Sequence, residues 1–189
     1  MAACATSRDK KNASQVHGVV LFEDEASFQL DPTLHRTWAR IGRQPRVATR
    51  GERKTAHLYG AIALHDARFT YQFVDVFNGR TFLGFLKALV KRYRRKIFLI
   101  IDNAPCHNLG ADGRAWLDAH RHRIELHRLP PYSPELNAIE GVWKTTRRRA
   151  THNRYFDNIH ERDAAICLAF QEFADYPSLI DGHVRRFRE

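Results

Sequence analysis

Residues 96–107, Lys-Ile-Phe-Leu-Ile-Ile-Asp-Asn-Ala-Pro-Cys-His, constrain the fold more than any other stretch of the chain. Five apolar residues in a row, rich in isoleucine and closed by Asn-Ala-Pro, predict a strand buried on both faces rather than a helix. The strand ends on Asp102. A carboxylate at the end of a buried strand is costly to desolvate unless a cation, a metal or a set of donors meets it. The plainer alternative is a side chain that caps the turn after the strand, as aspartates often do.

The remaining elements fall around that strand. His17–Gln29 carries Val19 to Phe22, then Glu23-Asp24-Glu25, and predicts the first strand. Strand alternation sends Asp24 to one side of the sheet and Glu23 and Glu25 to the other. His35–Pro45 predicts a short strand entering a turn at Gly42, and His57–Leu64 with Phe69–Val76 predict a hairpin around residues 65–68. Residues 78–96 place Phe82, Leu83, Phe85, Leu86, Leu89 and Val90 at helical spacing behind Asn78, a suitable N-cap. A weaker helical pattern over 110–122 precedes a short strand over 123–129. Pro130–Leu136 contains three prolines and excludes regular structure. From Asn137 a helix buries Ile139, Val142, Trp143 and Thr146 and turns Glu140, Lys144, Arg147 and Thr151 to a different face. A last helix spans 159–176 and stops at Pro177. Residues 1–16, polar and without periodicity, read as an N-terminal arm, 17–176 as one domain, and 177–189 as a C-terminal tail.

Charge narrows the partners. Lys and Arg number 31 against 21 Asp and Glu, which sets the formal charge at +10 and the pI near 9.9. The basic residues gather over 36–54, 87–96 and 144–154, a footprint that suits a polyanion, with nucleic acid first. Three scattered cysteines make neither a disulfide framework nor a Cys-rich zinc site, and fit a reducing compartment. Cys106-His107 and the histidines at 120, 122 and 127 match no structural zinc spacing. The first residues hold no apolar signal region, and no apolar run approaches the ~20 residues of a membrane span. A soluble cytoplasmic, nucleoid-associated protein without a membrane partner is the expectation. An ATP-driven role lacks the Gly-rich loop that would cradle phosphates.

With the short 35–45 strand set aside, the order β-β-β-α-β-α-β-α-α puts acids on the first strand, at the end of the fourth, and on a late helix. That is the layout of an α/β protein with an RNase H-like fold, a mixed central sheet flanked by helices. There the first and fourth strands are neighbours, so Asp24 and Asp102 can converge, and a helix on the sheet presents Glu140.

Phe22-Glu-Asp-Glu-Ala-Ser-Phe28, Asp102-Asn-Ala-Pro-Cys-His107 and Leu129-Pro-Pro-Tyr-Ser-Pro-Glu-Leu-Asn-Ala-Ile-Glu-Gly-Val-Trp143 resemble the three catalytic blocks of DDE transposases. The nearest group is the bacterial insertion-sequence relatives of the mariner transposons. Trp38–Pro45 is similar to the element between their first two blocks, and the likeness covers roughly 17–176. Thirty-seven residues separate Asp102 from Glu140, as the family requires. The resemblance implies that Asp24, Asp102 and Glu140 form a catalytic, metal-binding triad, with Glu23, Glu25 and Glu135 as neighbours. It implies two Mg²⁺ or Mn²⁺ ions, DNA as partner (transposon ends and target), and a homodimer. Lys144, Arg147 and Arg148, on or beside the face of Glu140, are the expected DNA contacts. Asn103 and His107 are accessory candidates; His107 would either orient water or phosphate or brace the turn.

The implied chemistry is metal-dependent DNA cleavage and strand transfer. Two cations about 3.5–4 Å apart suit the attacking and leaving oxygens of an in-line displacement at phosphorus, and carboxylates are the hard ligands such ions take. Asp102 would bridge them, water would attack in cleavage, and a DNA 3′-hydroxyl would attack in joining. Two departures stand out. Ala138 replaces the family's usual proline, and residues 1–16 are too short for a helix-turn-helix module. The chain is therefore expected to be a fragment, a split-frame product or a remnant, served by an upstream helix-turn-helix protein. The competing readings are a non-catalytic DNA-binding remnant or repressor, and a structure-specific RNase H-like nuclease; the Pro-Pro-Tyr-Ser-Pro-Glu-Leu-Asn block favours the transposase.

Overall fold

One mixed sheet organises the residues that the computed structural model describes, 18–131 and 133–188; the arm expected over 1–16 lies outside them. Its strands are β1 (Val19–Gln29), β2 (Thr55–Ala63), β3 (Phe69–Val74), β4 (Ile97–Ile101) and β5 (Ile124–Arg128), in the spatial order β3-β2-β1-β4-β5. β1 runs antiparallel to β2 and parallel to β4, while β3 and β5 complete the edges. The helices are α1 (Gly79–Arg92), α2 (Ala111–Ala119), α3 (Ile139–Thr146), α4 (Ile159–Asp175) and α5 (Ser178–Arg185).

Both faces of the sheet are dry, which explains the unbroken apolar run of β4. Leu21, Tyr59, Ala61, Leu99 and Ile101 pack against Phe82, Phe85, Leu86 and Leu89 of α1, with Trp116 and Leu117 of α2 alongside. Phe22, Ala26, Leu58, Ile62, Phe98 and Ile100 pack on the opposite face against Ile139, Val142 and Trp143 of α3, Phe170 and Phe173 of α4, and Ile180 and Val184 of α5. Each fully buried Leu, Ile, Val or Phe among them contributes ~1.5–3 kcal/mol. Gly60 of β2 faces Asp24 in the ladder, and a Cβ there would sit 2.5 Å from Trp143 Cη2, so the absent side chain lets α3 lie close to the sheet. Asn78 caps α1 as expected, accepting from the backbone N–H groups of Arg80 and Thr81 at 2.9 Å each. The helix ends at Arg92 because Tyr93 is already extended (φ −101°, ψ 123°).

Three expectations are corrected. No strand forms over 35–45: residues 34–54 contain only the turn at Gly42 (φ +75°). The Trp38 and Ile41 side chains meet no neighbouring strand, and both are fully exposed. Polar clasps hold the segment instead. Asn153 accepts from the His35 N–H at 2.8 Å and donates to its carbonyl at 2.9 Å, and Arg50 pairs with Asp157 at 3.2 Å. Thr151 is buried rather than on the charged face, because α3 widens into a π-helical turn over Arg147–Thr151 and shifts the later residues around the axis. Finally, 177–189 is not a tail outside the domain. Pro177 ends α4 and starts α5, whose Ile180 and Val184 join the main core. Leu179, Ile180 and Val184 carried that signal at helical spacing.

Candidate active site

β1 and β4 run side by side with Phe22 opposite Ile100, so two residues further Asp24 comes beside Asp102, just past the last paired residue. Both share the pleat direction of Phe22 and Ile100, toward α3. Asp24, Asp102 and Glu140 line one cleft of about 480 Å³, together with Asn103, Leu129, Pro130, Ser133 and Asn137. Glu140 gets there by a specific clasp. Asn137, buried ahead of α3, donates from Nδ2 to the Glu23 carbonyl at 3.0 Å, which fastens the first turn of α3 over β1. Ala138 holds φ −63° and ψ −28°, a proline-like φ, so replacing proline leaves the helix start in place.

The carboxylates of Asp24, Glu25 and Asp102 bring ligand atoms within 4.8 Å of one another. Burial, reinforced by Glu25, Glu23 and Glu140, pushes the Asp24 carboxyl up to about 8. Asp102 moves the other way: the His107 hydrogen bond, joined by the Ala104 N–H at 2.8 Å, holds it below the usual carboxylate range. The turn-capping alternative therefore holds, on a carboxylate that also lines the cleft. A close set of hard oxygen donors, one of them strained toward neutrality, fits a divalent cation such as Mg²⁺ or Mn²⁺.

On the other side of the sheet lies a second polar cluster. Glu23 is fully buried, and His107 Nε2 sits 3.1 Å from Glu23 Oε2 and 3.1 Å from Glu25 Oε1. Its Nδ1 is 3.1 Å from Asp102 Oδ1 and 3.3 Å from the Asp102 carbonyl. Phe82 of α1 covers the ring at 4.5 Å between centroids. Burial alone would lower the imidazole pKa; hydrogen bonds to Asp102, Glu23 and Glu25 outweigh it and raise it. Burial also lifts Glu23 to about 7 against the pull of His107, and lifts the Cys106 thiol, which donates to Glu25, to about 12.

A family model described as DDE superfamily endonuclease matches residues 19–162. The chain belongs to the DDE superfamily endonucleases. Its relatives include the insertion element IS630 uncharacterized 39 kDa protein of Shigella sonnei, 29% identical over 136 residues, covering 71% of this chain and 39% of that one. Among solved structures, the Mos1 transposase paired-end complex with left transposon end superposes with TM-score 0.69 at 17% identity, covering 98% of this chain and 56% of the Mos1 chain. The catalytic core of BIV integrase superposes with TM-score 0.50 at 17% identity, over 64% of this chain and 76% of that core. The fold is thus RNase H-like, and the chain spans about two fifths of its Shigella relative.

In this member of the DDE superfamily endonucleases, ligand atoms of the first and second acids of the expected triad lie within 4.8 Å of each other, and the third lines the same cleft. Asn103 lines the cleft while donating from Nδ2 to the Leu129 carbonyl at 2.9 Å. His107 does not reach the cleft. Its side chain is wholly buried, with Nδ1 3.1 Å from Asp102 Oδ1, a position from which it braces Asp102. Glu25, read as a neighbour, is the unforeseen member: it touches both clusters because β4 stops at Ile101 and leaves room beside it. Cys106 and His107 do gather with Glu25, ligand atoms within 4.8 Å, while His120 stacks on Trp116 elsewhere. Lys144 and Arg148 are exposed, and Arg147 lies with its guanidinium 5.3 Å over the Phe28 ring. Among the described residues, no helix is long and apolar enough to cross a membrane.

Proposed function

We propose that this chain is the catalytic domain of a transposase, cutting and joining DNA with divalent metal held by Asp24, Asp102 and Glu140. The convergence of Asp24 and Asp102 on the cleft that Glu140 lines carries the reading, in a chain of this family. Two Mg²⁺ or Mn²⁺ ions, when bound, would offset charge on the attacking and leaving oxygens. The protein's own part is placement. Ala104 and His107 hold the Asp102 carboxylate, Asn137 fixes Glu140 relative to β1, and Glu25 stands ready as a fourth oxygen donor. Water attacks phosphorus in cleavage and frees a 3′-hydroxyl, which attacks a second phosphodiester in joining. Lys144 and Arg148 offer charge to the DNA backbone beside Glu140. Two copies would hold paired ends, as the Mos1 paired-end complex does for its own transposon end. Recognition of a defined end would come from a helix-turn-helix segment, fused or on a second chain.

The test is Mg²⁺-dependent nicking and joining of linear DNA by the chain and by Asp102→Asn. The variant is expected to lose cleavage and most of the metal-induced rise in melting temperature, which ligand binding to the native state produces. Wild-type cleavage by Asp102→Asn would place the active site elsewhere.

A further inference from the structure

A second cleft opens behind Glu140. Glu135, Glu140, Gly141 and Lys144 face Gly182, His183 and Arg186 across about 600 Å³ between α3 and α5. Glu140 lines this cleft and the acidic one, so the two adjoin at that residue. The basic groups here are held rather than loose. The Arg186 guanidinium lies 4.7 Å over the Phe187 ring and donates to the Glu135 carbonyl at 3.3 Å. Phe187 packs 5.1 Å from Phe22, two residues before Asp24. Lys144 stands one helical turn beyond Glu140. Between them, His183 lies within 2.8 Å of Thr145 Oγ1 and against Gly141, where any Cβ would run into its ring. Burial lowers the His183 pKa, and the charges of Arg186, Lys144 and Arg148 lower it further. Arg147 is excluded from that group, turned instead onto Phe28.

We infer that the α3–α5 cleft is a phosphate-tracking limb of the active site, in which Lys144 and Arg186 hold the DNA backbone as it leaves Glu140, while Arg147 serves packing. The inference rests on the reading of DNA as substrate. Lys144 and Arg186 share the cleft with Glu135 and Glu140, so a metal ion held at Glu140 would leave the basic pair to face a polyanion, and the shared Glu140 sets where that polyanion must lead. α5 thereby becomes part of the substrate surface, not merely a prop for α3.

The experiment is duplex DNA binding by the full chain in EDTA, where metal-dependent cleavage is off, across a salt series. Lys144→Gln/Arg186→Gln is expected to weaken binding and flatten the log–log salt slope by about 1.8, roughly 0.9 per lost phosphate contact. Arg147→Gln is expected to leave the slope alone, and melting curves confirm that each variant folds. An unchanged slope in the folded double variant, an equal loss in Arg147→Gln, or tighter binding of duplex RNA of the same sequence would overturn the inference. Intact cleavage with an unchanged slope sinks this limb alone; cleavage surviving in Asp102→Asn sinks the functional reading instead.

Discussion

His107 Nδ1 lies 3.1 Å from Asp102 Oδ1 and joins that half-exposed carboxylate to a glutamate buried behind the sheet. The imidazole is the one basic group placed between Glu23, Glu25 and Asp102 by the contacts described above. Removing one partner of a buried charged pair costs about 3–5 kcal/mol, because the other charge stays behind unpaired. His107→Phe is therefore expected to destabilise the fold by that order, with His107→Phe/Glu23→Gln recovering part of the loss. Denaturant unfolding of wild type, His107→Phe, Glu23→Gln and the double variant measures it. A single variant as stable as wild type would show that the cluster is not ionic.

Acid groups of the metal-free protein hold protons that the unfolded chain has lost. Asp24 titrates near 8 against 3.8 unfolded, and Glu23 near 7 against 4.5. A folded pKa above the unfolded one means that stability is highest below the unfolded value and falls as pH rises through the folded value. Without metal, stability should thus decline between about pH 4 and pH 8. Mg²⁺ must displace the Asp24 proton, so its gain in melting temperature should grow from pH 6 to pH 8.5. Melts with Mg²⁺ and with EDTA at both pH values decide the point, and a gain that shrinks with pH would contradict it.

Ala138 already has the φ of a proline, at −63°. Ala138→Pro should stabilise the chain by about 0.4–1 kcal/mol, through a stiffer unfolded state. A lower melting temperature would mean that the ring does not fit beneath α3, where residue 138 is buried.

Much of this arrangement is legible in the sequence because the dominant signals are local. The β4 run, the Asn78 cap and the stripe of Ile139, Val142 and Trp143 each depend on neighbours within one turn or one pleat. What escapes depends on distant partners. Trp38 and Ile41 mimic a strand, yet a strand exists only where a second one pairs with it. The direction of His107 depends on a short 3₁₀ turn after Pro105, which spacing alone does not orient. Glu25 reaches both clusters only because β4 ends where it does, and α5 was masked by Pro177, a residue that both stops one helix and opens the next.

Binding by basic charge alone is steep in salt and nearly indifferent to sequence. This chain by itself should therefore prefer transposon-end DNA over scrambled DNA by less than about a hundredfold, below the 10³–10⁷ of specific binders. A competition gel shift at physiological salt provides the number. A larger preference would mean that the catalytic domain reads bases directly.

The three consecutive acids of β1 divide between the two sides of the sheet, Asp24 toward the cleft and Glu23 and Glu25 toward His107. A strand allows no half measures in this respect, since a slip of one residue exchanges its faces. A single-codon deletion ahead of Glu23 would present a glutamate, one methylene longer, where Asp24 had been, and carry the aspartate to the dry side. Charge and composition would be almost untouched, yet the cleft would be rebuilt: the frame of β1, more than its acidity, is what keeps Asp24 beside Asp102.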